Sequence, residues 1–168
     1  MKNKFLPKKF FITTGKGQSD TSEMNAFDNA LIKAGIGQCN LVKVSSILPK
    51  NCEEIHPVKI EPGTITFVVL SRSNGKKGEK ISAGIGYAIM KNEQGYGIVA
   101  EDCNNRSEEK AREEIQKKLR EMASSRKMEI ERIRIETETL EIDSEFGCVI
   151  AALVYLFLNM NQTPSAIS

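Results

Sequence analysis

Two serines end a short apolar run, Asn40-Leu41-Val42-Lys43-Val44-Ser45-Ser46-Ile47-Leu48-Pro49, in this chain of 168 residues. The apolar and β-branched residues predict a strand over 40–45, and the serine pair stands where that strand ends. Pro49 and Pro57 bound the loop that follows. Serine hydroxyls at such a place ordinarily bond to nearby backbone. By itself, the pair therefore indicates no more than the start of a loop.

A strand and a helix are predicted before this run. The strand covers Phe10–Thr14, and Gly15-Lys16-Gly17 indicates a turn after it. Asp20 and Glu23 have the spacing of a capping box, so we expect a helix to begin there. Its apolar side chains recur at helical intervals up to Gly35, a natural helix stop: Met24, Phe27, Leu31 and Ala34.

After the run, the pattern predicts mainly strands with one further helix. The helix is capped by Ser107, and its apolar face comprises Ala111, Ile115, Leu119 and Met122. We expect a polar turn over 72–80 with Asn74-Gly75 at its tip. The predicted strands are Thr64–Leu70, Lys80–Ile89, Gly95–Glu101, an alternating strand over 133–139, and Cys148–Leu158, for which a strand is favoured over a buried helix.

Two helices and six or seven strands, mostly without β-α-β alternation, predict an α+β fold. We expect mostly antiparallel sheets covered by helices. No stretch has the composition of an interdomain linker, so residues 1–168 are predicted to form a single domain. Residues 159–168 are predicted to be a disordered tail.

Composition narrows the function classes. The net charge is only +2, with Lys and Arg interleaved among Glu and Asp, which argues against a nucleic-acid partner. The longest apolar run, Cys148–Leu158, is too short to span a membrane. His56 is the only histidine, so a metal site built from several histidines of one chain is excluded. An enzyme of this composition must use carboxylates, hydroxyls, thiols, lysines or a cofactor.

The four cysteines, at positions 39, 52, 103 and 148, show no C-x-x-C spacing. Pro7, Lys8 and Lys9 interrupt any apolar leader at the amino terminus. We therefore expect reduced thiols and a cytoplasmic protein.

Several stretches between about Phe10 and Phe157 resemble the pyruvoyl-dependent arginine decarboxylases. Matching residues surround the serine pair at one spacing: Asn25-Ala26-Phe27-Asp28, Ala30-Leu31, Ala34-Gly35-Ile36-Gly37, Asn40-Leu41 and Val44-Ser45-Ser46-Ile47. Later matches are Gly78-Glu79-x-Ile81-Ser82-Ala83, Gly97-Ile98-Val99-x-Glu101 and Phe146-Gly147-Cys148. Residues 51–61 and those after Asp102 match poorly. The resemblance implies an αββα-type sandwich, a trimer of αβ units, and active sites between neighbouring subunits.

The resemblance also implies that the precursor cuts itself between Ser45 and Ser46. An amino-terminal β chain, 1–45, and an α chain, 46–168, would result. The Ser46 hydroxyl attacks the Ser45 carbonyl and converts the amide to an ester, which is then eliminated across Cα–Cβ. The resulting dehydroalanine tautomerises and loses ammonia. A pyruvoyl group, covalently part of the chain, is left at position 46 as the cofactor.

Roles for individual residues follow from the resemblance. Asn40 would support the oxyanion during self-processing, and Glu101 would be the proton donor in decarboxylation. Asp28 would pair with the guanidinium of the substrate, L-arginine, which yields agmatine and carbon dioxide. Three weaker assignments line the substrate pocket: Leu31 beside the aliphatic stem, Val99 opposite it, and Gly37 at the substrate carboxylate. Without the resemblance, Asn40 would be interpreted as an asparagine that hydrogen-bonds to the backbone at the start of a strand. Asp28 would be interpreted as an ordinary aspartate on a helix surface, and Glu101 as an exposed glutamate at the end of a strand.

Two alternatives remain open. Asp28 argues for a cationic side chain but does not separate arginine from lysine or ornithine. An uncleaved, non-catalytic α+β oligomer that binds a small ligand or regulates a partner would also have this pattern.

Overall fold

The structure, a computed structural model, describes residues 5–91, 95–103 and 107–157. These residues form nine strands and two helices. In chain order they are β1 (Lys9–Ser19), α1 (Glu23–Lys33), β2 (Asn40–Lys43), β3 (Ile47–Leu48), β4 (Glu53–Glu54), β5 (Ile65–Lys76), β6 (Lys80–Met90), β7 (Gly97–Asp102), α2 (Glu108–Ser125), β8 (Ile130–Glu141) and β9 (Phe146–Leu156). The predicted tail over 159–168 lies outside the described residues.

The strands form two sheets. Sheet A has the order β2-β5-β9-β1-β4, and sheet B has the order β3-β7-β6-β8. The long pairs β5–β9 and β1–β9 of sheet A are antiparallel, whereas its outer pairs β2–β5 and β1–β4 are parallel. All pairs in sheet B are antiparallel. The prediction of mostly antiparallel sheets is therefore confirmed.

Three apolar clusters hold four layers together. α1 packs through Ala26 and Ala30 on the outer face of sheet A, and α2 packs through Ile115 and Leu119 on the outer face of sheet B. Between the sheets lies the largest cluster, which includes Phe10, Ile81, Ile85, Tyr87, Val99, Leu153 and Tyr155. Burial of these apolar side chains on both faces of each sheet is what stabilises the αββα sandwich.

Gly15 and Gly17 do not make the predicted turn. β1 continues through them to Ser19, and both glycines lie beneath α1. A Cβ at Gly15 would lie 2.1 Å from the Ala30 carbonyl oxygen, and one at Gly17 would lie 2.4 Å from that of Ala26. These glycines are needed because the helix backbone approaches the strand closely.

The predicted turn over 72–80 was wrong in position. β5 continues to Lys76, and Asn74 and Gly75 pair with Cys148 and Gly147 of β9. The chain turns instead around Gly78, whose φ of 85° favours glycine. Pairing with the long central strand overrides the local preference of Asn-Gly for a turn.

Helix α1 is capped by Ser22 and not by Asp20. The Ser22 hydroxyl accepts a hydrogen bond from the Asn25 amide at 3.1 Å. Asp20 instead accepts one from the Glu145 amide at 3.1 Å, across the chain. The predicted helix is correct, but its first turn is set by the nearer serine.

Candidate active site

The peptide bond between Ser45 and Ser46 crosses from one sheet to the other. On its amino side, the Val44 amide donates to the Val68 carbonyl of sheet A at 2.8 Å. On its carboxyl side, the Val99 amide of sheet B donates to the Ser46 carbonyl, also at 2.8 Å. Each side of the bond is thus anchored to a different sheet. A cut between the serines would leave both anchors in place.

A small apolar cavity of about 290 Å³ lies beside this junction. Ser45 is exposed and Ser46 is half-buried. The Tyr155 hydroxyl donates to the Ile47 carbonyl at 2.8 Å, just past the junction. The cavity is lined by Phe5, Pro7, Val44, Ser45, Ile47, Pro49, Phe67, Tyr155 and Phe157.

Glu101 lies two residues beyond Val99 on β7. Its Oε1 lies 3.2 Å from the Lys43 Nζ. Lys43 precedes the serine pair in the chain and Glu101 follows it, so this ion pair connects the segments on either side of the serine junction. Its Oε2 is buried and has no hydrogen-bond partner among the described residues. A buried carboxylate oxygen without a partner is uncommon, which marks Glu101 as a candidate functional residue.

The end of β7 is held from two layers. Lys118 of α2 donates to the Glu101 carbonyl at 2.7 Å and pairs with the Asp102 carboxylate at 3.1 Å. Ser71 of β5 donates to the Asp102 carbonyl at 2.6 Å. The Asp102 side chain is 1% exposed. These contacts fix the backbone from which the Glu101 side chain projects.

The other predicted site residues lie together elsewhere, on α1 and the segment after it. Asp28 is exposed, and its carboxylate makes no hydrogen bond or ion pair within the part of the chain that the structure describes. Leu31 is half-buried against the outer apolar cluster of sheet A. Gly37 is half-buried just beyond the helix. The Asn40 side-chain amide donates to the Gly63 carbonyl at 2.8 Å.

These two groups of residues lie in different layers of the sandwich. α1 covers the outer face of sheet A, whereas Val99 packs in the core between the sheets. Asn40 opens β2 and Ser45 lies beyond its end, so five residues of extended chain separate them by about 16 Å. The Asn40 amide is therefore too far from the Ser45 carbonyl of its own chain to hydrogen-bond to it.

Burial suppresses the reactivity of nearby titratable groups. Desolvation raises the pKa of Cys52 to about 12 and that of Cys148 to about 11. It also raises the pKa of Tyr155, so that hydroxyl stays protonated and acts as a donor. Within the described ranges, no cluster of three or more His, Cys, Asp or Glu side chains could hold a metal ion. No described helix is long and apolar enough to cross a membrane.

Three residues at the site were not found from the sequence. Lys43 lies within the run 40–49, but its partner Glu101 lies on a separate strand, β7. Tyr155 and Ile47 are 108 residues apart, and Lys118 contacts β7 from a helix with many lysines. Only the stacking of the sheets and the packing of α2 bring these side chains to the junction or to the end of β7, so no local pattern identifies them.

Several known proteins are similar to this chain. A solved structure of a pyruvoyl-dependent histidine decarboxylase is similar at a TM-score of 0.46 and 12% identity, over 87% of this chain and 69% of that one. The pyruvoyl-dependent arginine decarboxylase of Methanothermobacter thermautotrophicus is 40% identical over 150 residues, which cover 88% of this chain and 96% of the relative. That of Methanopyrus kandleri is 38% identical over 151 residues, which cover 89% and 97%.

A family model matches residues 9–159, which include nearly all of the described residues. The family is described as pyruvoyl-dependent arginine decarboxylase (PvlArgDC). The match includes the serine junction, β7 with Glu101, and α1 with Asp28. The resemblance found from the sequence is thereby confirmed, and the chain belongs to the pyruvoyl-dependent arginine decarboxylase family.

Proposed function

We propose that this chain cuts itself between Ser45 and Ser46 and decarboxylates L-arginine to agmatine and carbon dioxide. The observation that carries the proposal is the junction itself. A serine-serine bond spans the two sheets and is anchored on both sides. Val99, which holds the Ser46 carbonyl, lies two residues before Glu101 on β7, and one oxygen of the Glu101 carboxylate has no partner among the described residues.

The site suits a pyruvoyl group at position 46. Val99 holds the carbonyl of residue 46, and the adjacent cavity offers mostly apolar walls. When formed, the group supplies a ketone that condenses with the substrate amine and accepts the electron pair left by carbon dioxide. Ser46 supplies both the nucleophilic hydroxyl and the β-oxygen that the elimination requires, which no alanine could do.

Glu101 would return a proton to the substrate Cα after decarboxylation. Its unpartnered Oε2 supplies a position within the site for that proton. Lys43, 3.2 Å from the other oxygen, would balance the negative charge that remains on the carboxylate after donation. Lys43 belongs to the β chain and Glu101 to the α chain, so the pair would persist after the cut.

Asp28, Leu31 and Gly37 would reach this site from a neighbouring subunit. The exposed and unpaired Asp28 carboxylate can hold a guanidinium through two parallel hydrogen bonds. Because the same chain holds these residues away from Glu101, we propose a homo-oligomer, a trimer of αβ units, with arginine bound between subunits. A neighbour's Asn40 would likewise support the oxyanion during self-cleavage.

We further propose that the enzyme works in the cytoplasm. All four cysteines are free thiols, which suits a reducing compartment.

Denaturing gel electrophoresis with intact-mass measurement tests the proposed function. The purified protein should run as two fragments, and the larger should carry a ketone at position 46. Ser46→Ala should remain one chain without decarboxylase activity, whereas Ser125→Ala, an exposed serine at the end of α2, should be cut normally. A single intact band from the unaltered protein would instead favour the non-catalytic oligomer. A panel of arginine, lysine and ornithine would settle the substrate.

A further inference from the structure

We infer that Tyr155 is a positioning residue for the self-cleavage, an inference that rests on the function proposed above. Its hydroxyl donates to the Ile47 carbonyl at 2.8 Å, one residue past the bond to be cut. Its ring lines the cavity beside the junction. Val44 and Ser45, which precede the bond to be cut, line the same cavity. Tyr155 therefore borders the junction on both sides.

The tyrosine is itself held rigidly. It is 4% exposed and packs in the cluster between the sheets. β9 is the central strand of sheet A, and Tyr155 pairs with Phe10 of β1 on one side while its neighbour Val154 pairs with Val68 of β5 on the other. A hydroxyl on such a support has little freedom, so it can hold the segment after Ser46 in one position.

Two consecutive carbonyl groups are thereby fixed from opposite sheets. The Val99 amide of sheet B holds the Ser46 carbonyl, and the Tyr155 hydroxyl of sheet A holds the Ile47 carbonyl. Val44 is fixed on the preceding side by Val68. The part left free to rotate is the Ser45–Ser46 peptide and the Ser46 side chain, which are the reacting groups.

The first step of self-cleavage depends on this alignment. The Ser46 Oγ forms a bond to the Ser45 carbonyl carbon, the amide C–N bond breaks, and the hydroxyl proton passes to the departing nitrogen. Tyr155 gains and loses nothing in this exchange. It keeps residues 46 and 47 from turning away, and small displacements in such an intramolecular attack have a large effect on rate.

Tyr155→Phe tests the inference, because it removes the hydroxyl and leaves the ring in the core. We expect the precursor, made by pulse-labelled cell-free synthesis, to be cut about tenfold more slowly, the usual effect of one lost hydrogen bond. Tyr87→Phe is the matched control. Tyr87 is also buried, but its hydroxyl donates to Glu54 at 2.7 Å and not to the junction. Its cleavage rate should stay within about twofold of the unaltered chain.

Two further readouts separate positioning from a general loss of structure. Cleavage is compared at a temperature at which circular dichroism shows both variants folded. Hydroxylamine, which cuts an ester at this junction, should not speed the cleavage of Tyr155→Phe, since the slowed step precedes the ester. Turnover per cleaved chain should fall less than the cleavage rate, because a free substrate can adjust its position to the ketone.

The outcomes separate this inference from the proposed function. If the unaltered chain is never cut, the proposed function fails and the inference with it. If the unaltered chain is cut and Tyr155→Phe is cut as fast as Tyr87→Phe, only the inference is wrong. Rapid cutting of Tyr155→Phe by hydroxylamine would also overturn it, since the ester would then have formed normally.

Discussion

Glu101 is the residue that we propose as the proton donor of the decarboxylation. One oxygen is paired with Lys43, which holds the side chain in place, and the other is buried without a partner among the described residues. Neither oxygen contacts the Ser45–Ser46 peptide in the described structure. The residue is therefore expected to serve turnover and not self-cleavage.

Glu101→Gln should be cut into two fragments at the normal rate but lose turnover by about 10²- to 10⁴-fold, because the amide cannot donate as an acid does. A gel reports the cut, and release of carbon dioxide from labelled arginine reports the turnover. Failure of this variant to self-cleave would place Glu101 in the processing chemistry instead.

Two of the thiols should be nearly inert. Burial raises the pKa of Cys52 to about 12, so at pH 8 about one molecule in ten thousand carries the reactive thiolate there. Cys148, with a pKa raised to about 11, should react slowly as well. Cys103 is exposed and should be alkylated first. Peptide mapping after timed iodoacetamide treatment checks the order, and all rates should rise with pH. Early labelling of Cys52 would contradict its burial.

At the scale of the elements, an ion pair between Lys118 and Asp102 connects α2 to β7, and its two side chains differ in burial. Lys118 is partly exposed, whereas the Asp102 side chain is 1% exposed and its second oxygen has no partner among the described residues. Loss of the lysine would leave a buried charge uncompensated, which costs more than the pair itself contributes.

Lys118→Met should therefore lower the free energy of unfolding by about 3 kcal/mol. Adding Asp102→Asn should recover part of that loss, because the buried charge is then gone. Lys117→Met, an exposed neighbour on α2, should change the stability by no more than about 0.5 kcal/mol. Urea unfolding followed by circular dichroism measures all three. Equal effects of Lys118→Met and Lys117→Met would show that the pair contributes nothing.

At the scale of the whole molecule, the proposed homo-oligomer would make the assembly part of the site. Each chain would offer the Asp28 carboxylate on one surface and the serine junction on another. A ring of identical chains would bring one surface to the other at every interface, so that each subunit would complete its neighbour.

Mixing two inactive variants tests this arrangement. Asp28→Asn and Glu101→Gln should each have little activity alone. Coexpressed in equal amounts, they should regain about a quarter of the normal activity, since random assembly leaves about one interface in four with both native residues. Arginine decarboxylation by the purified mixed oligomer is the measurement. No recovery in oligomers shown to contain both chains would place Asp28 and Glu101 in the same chain's site.

Strong periodic signals were read correctly from the sequence. The helices α1 and α2, the alternating β8 and the long apolar β9 were all predicted, because each element buries one continuous face. The apolar stripe predicted for α1 was wrong in part, since Met24 is 76% exposed and the helix buries Ala26 and Ala30 instead. The two-residue strands β3 and β4 were missed, since two residues show no period. Gly15, Gly17 and Asn74-Gly75 were misread because their local turn preference yields to packing against α1 and pairing with β9.

The proposed self-cleavage could be predicted from the order of residues alone: an adjacent pair of serines follows a strand, in a setting that matches one family. Attack by a hydroxyl on the preceding carbonyl involves neighbours in sequence, so a linear pattern is enough to reveal it. Only the tertiary structure determines the contacts between the sheets, such as those of Lys43 with Glu101 and of Tyr155 with Ile47. These contacts join residues far apart along the chain, and their distance depends on how two sheets pair and stack, which no local pattern encodes.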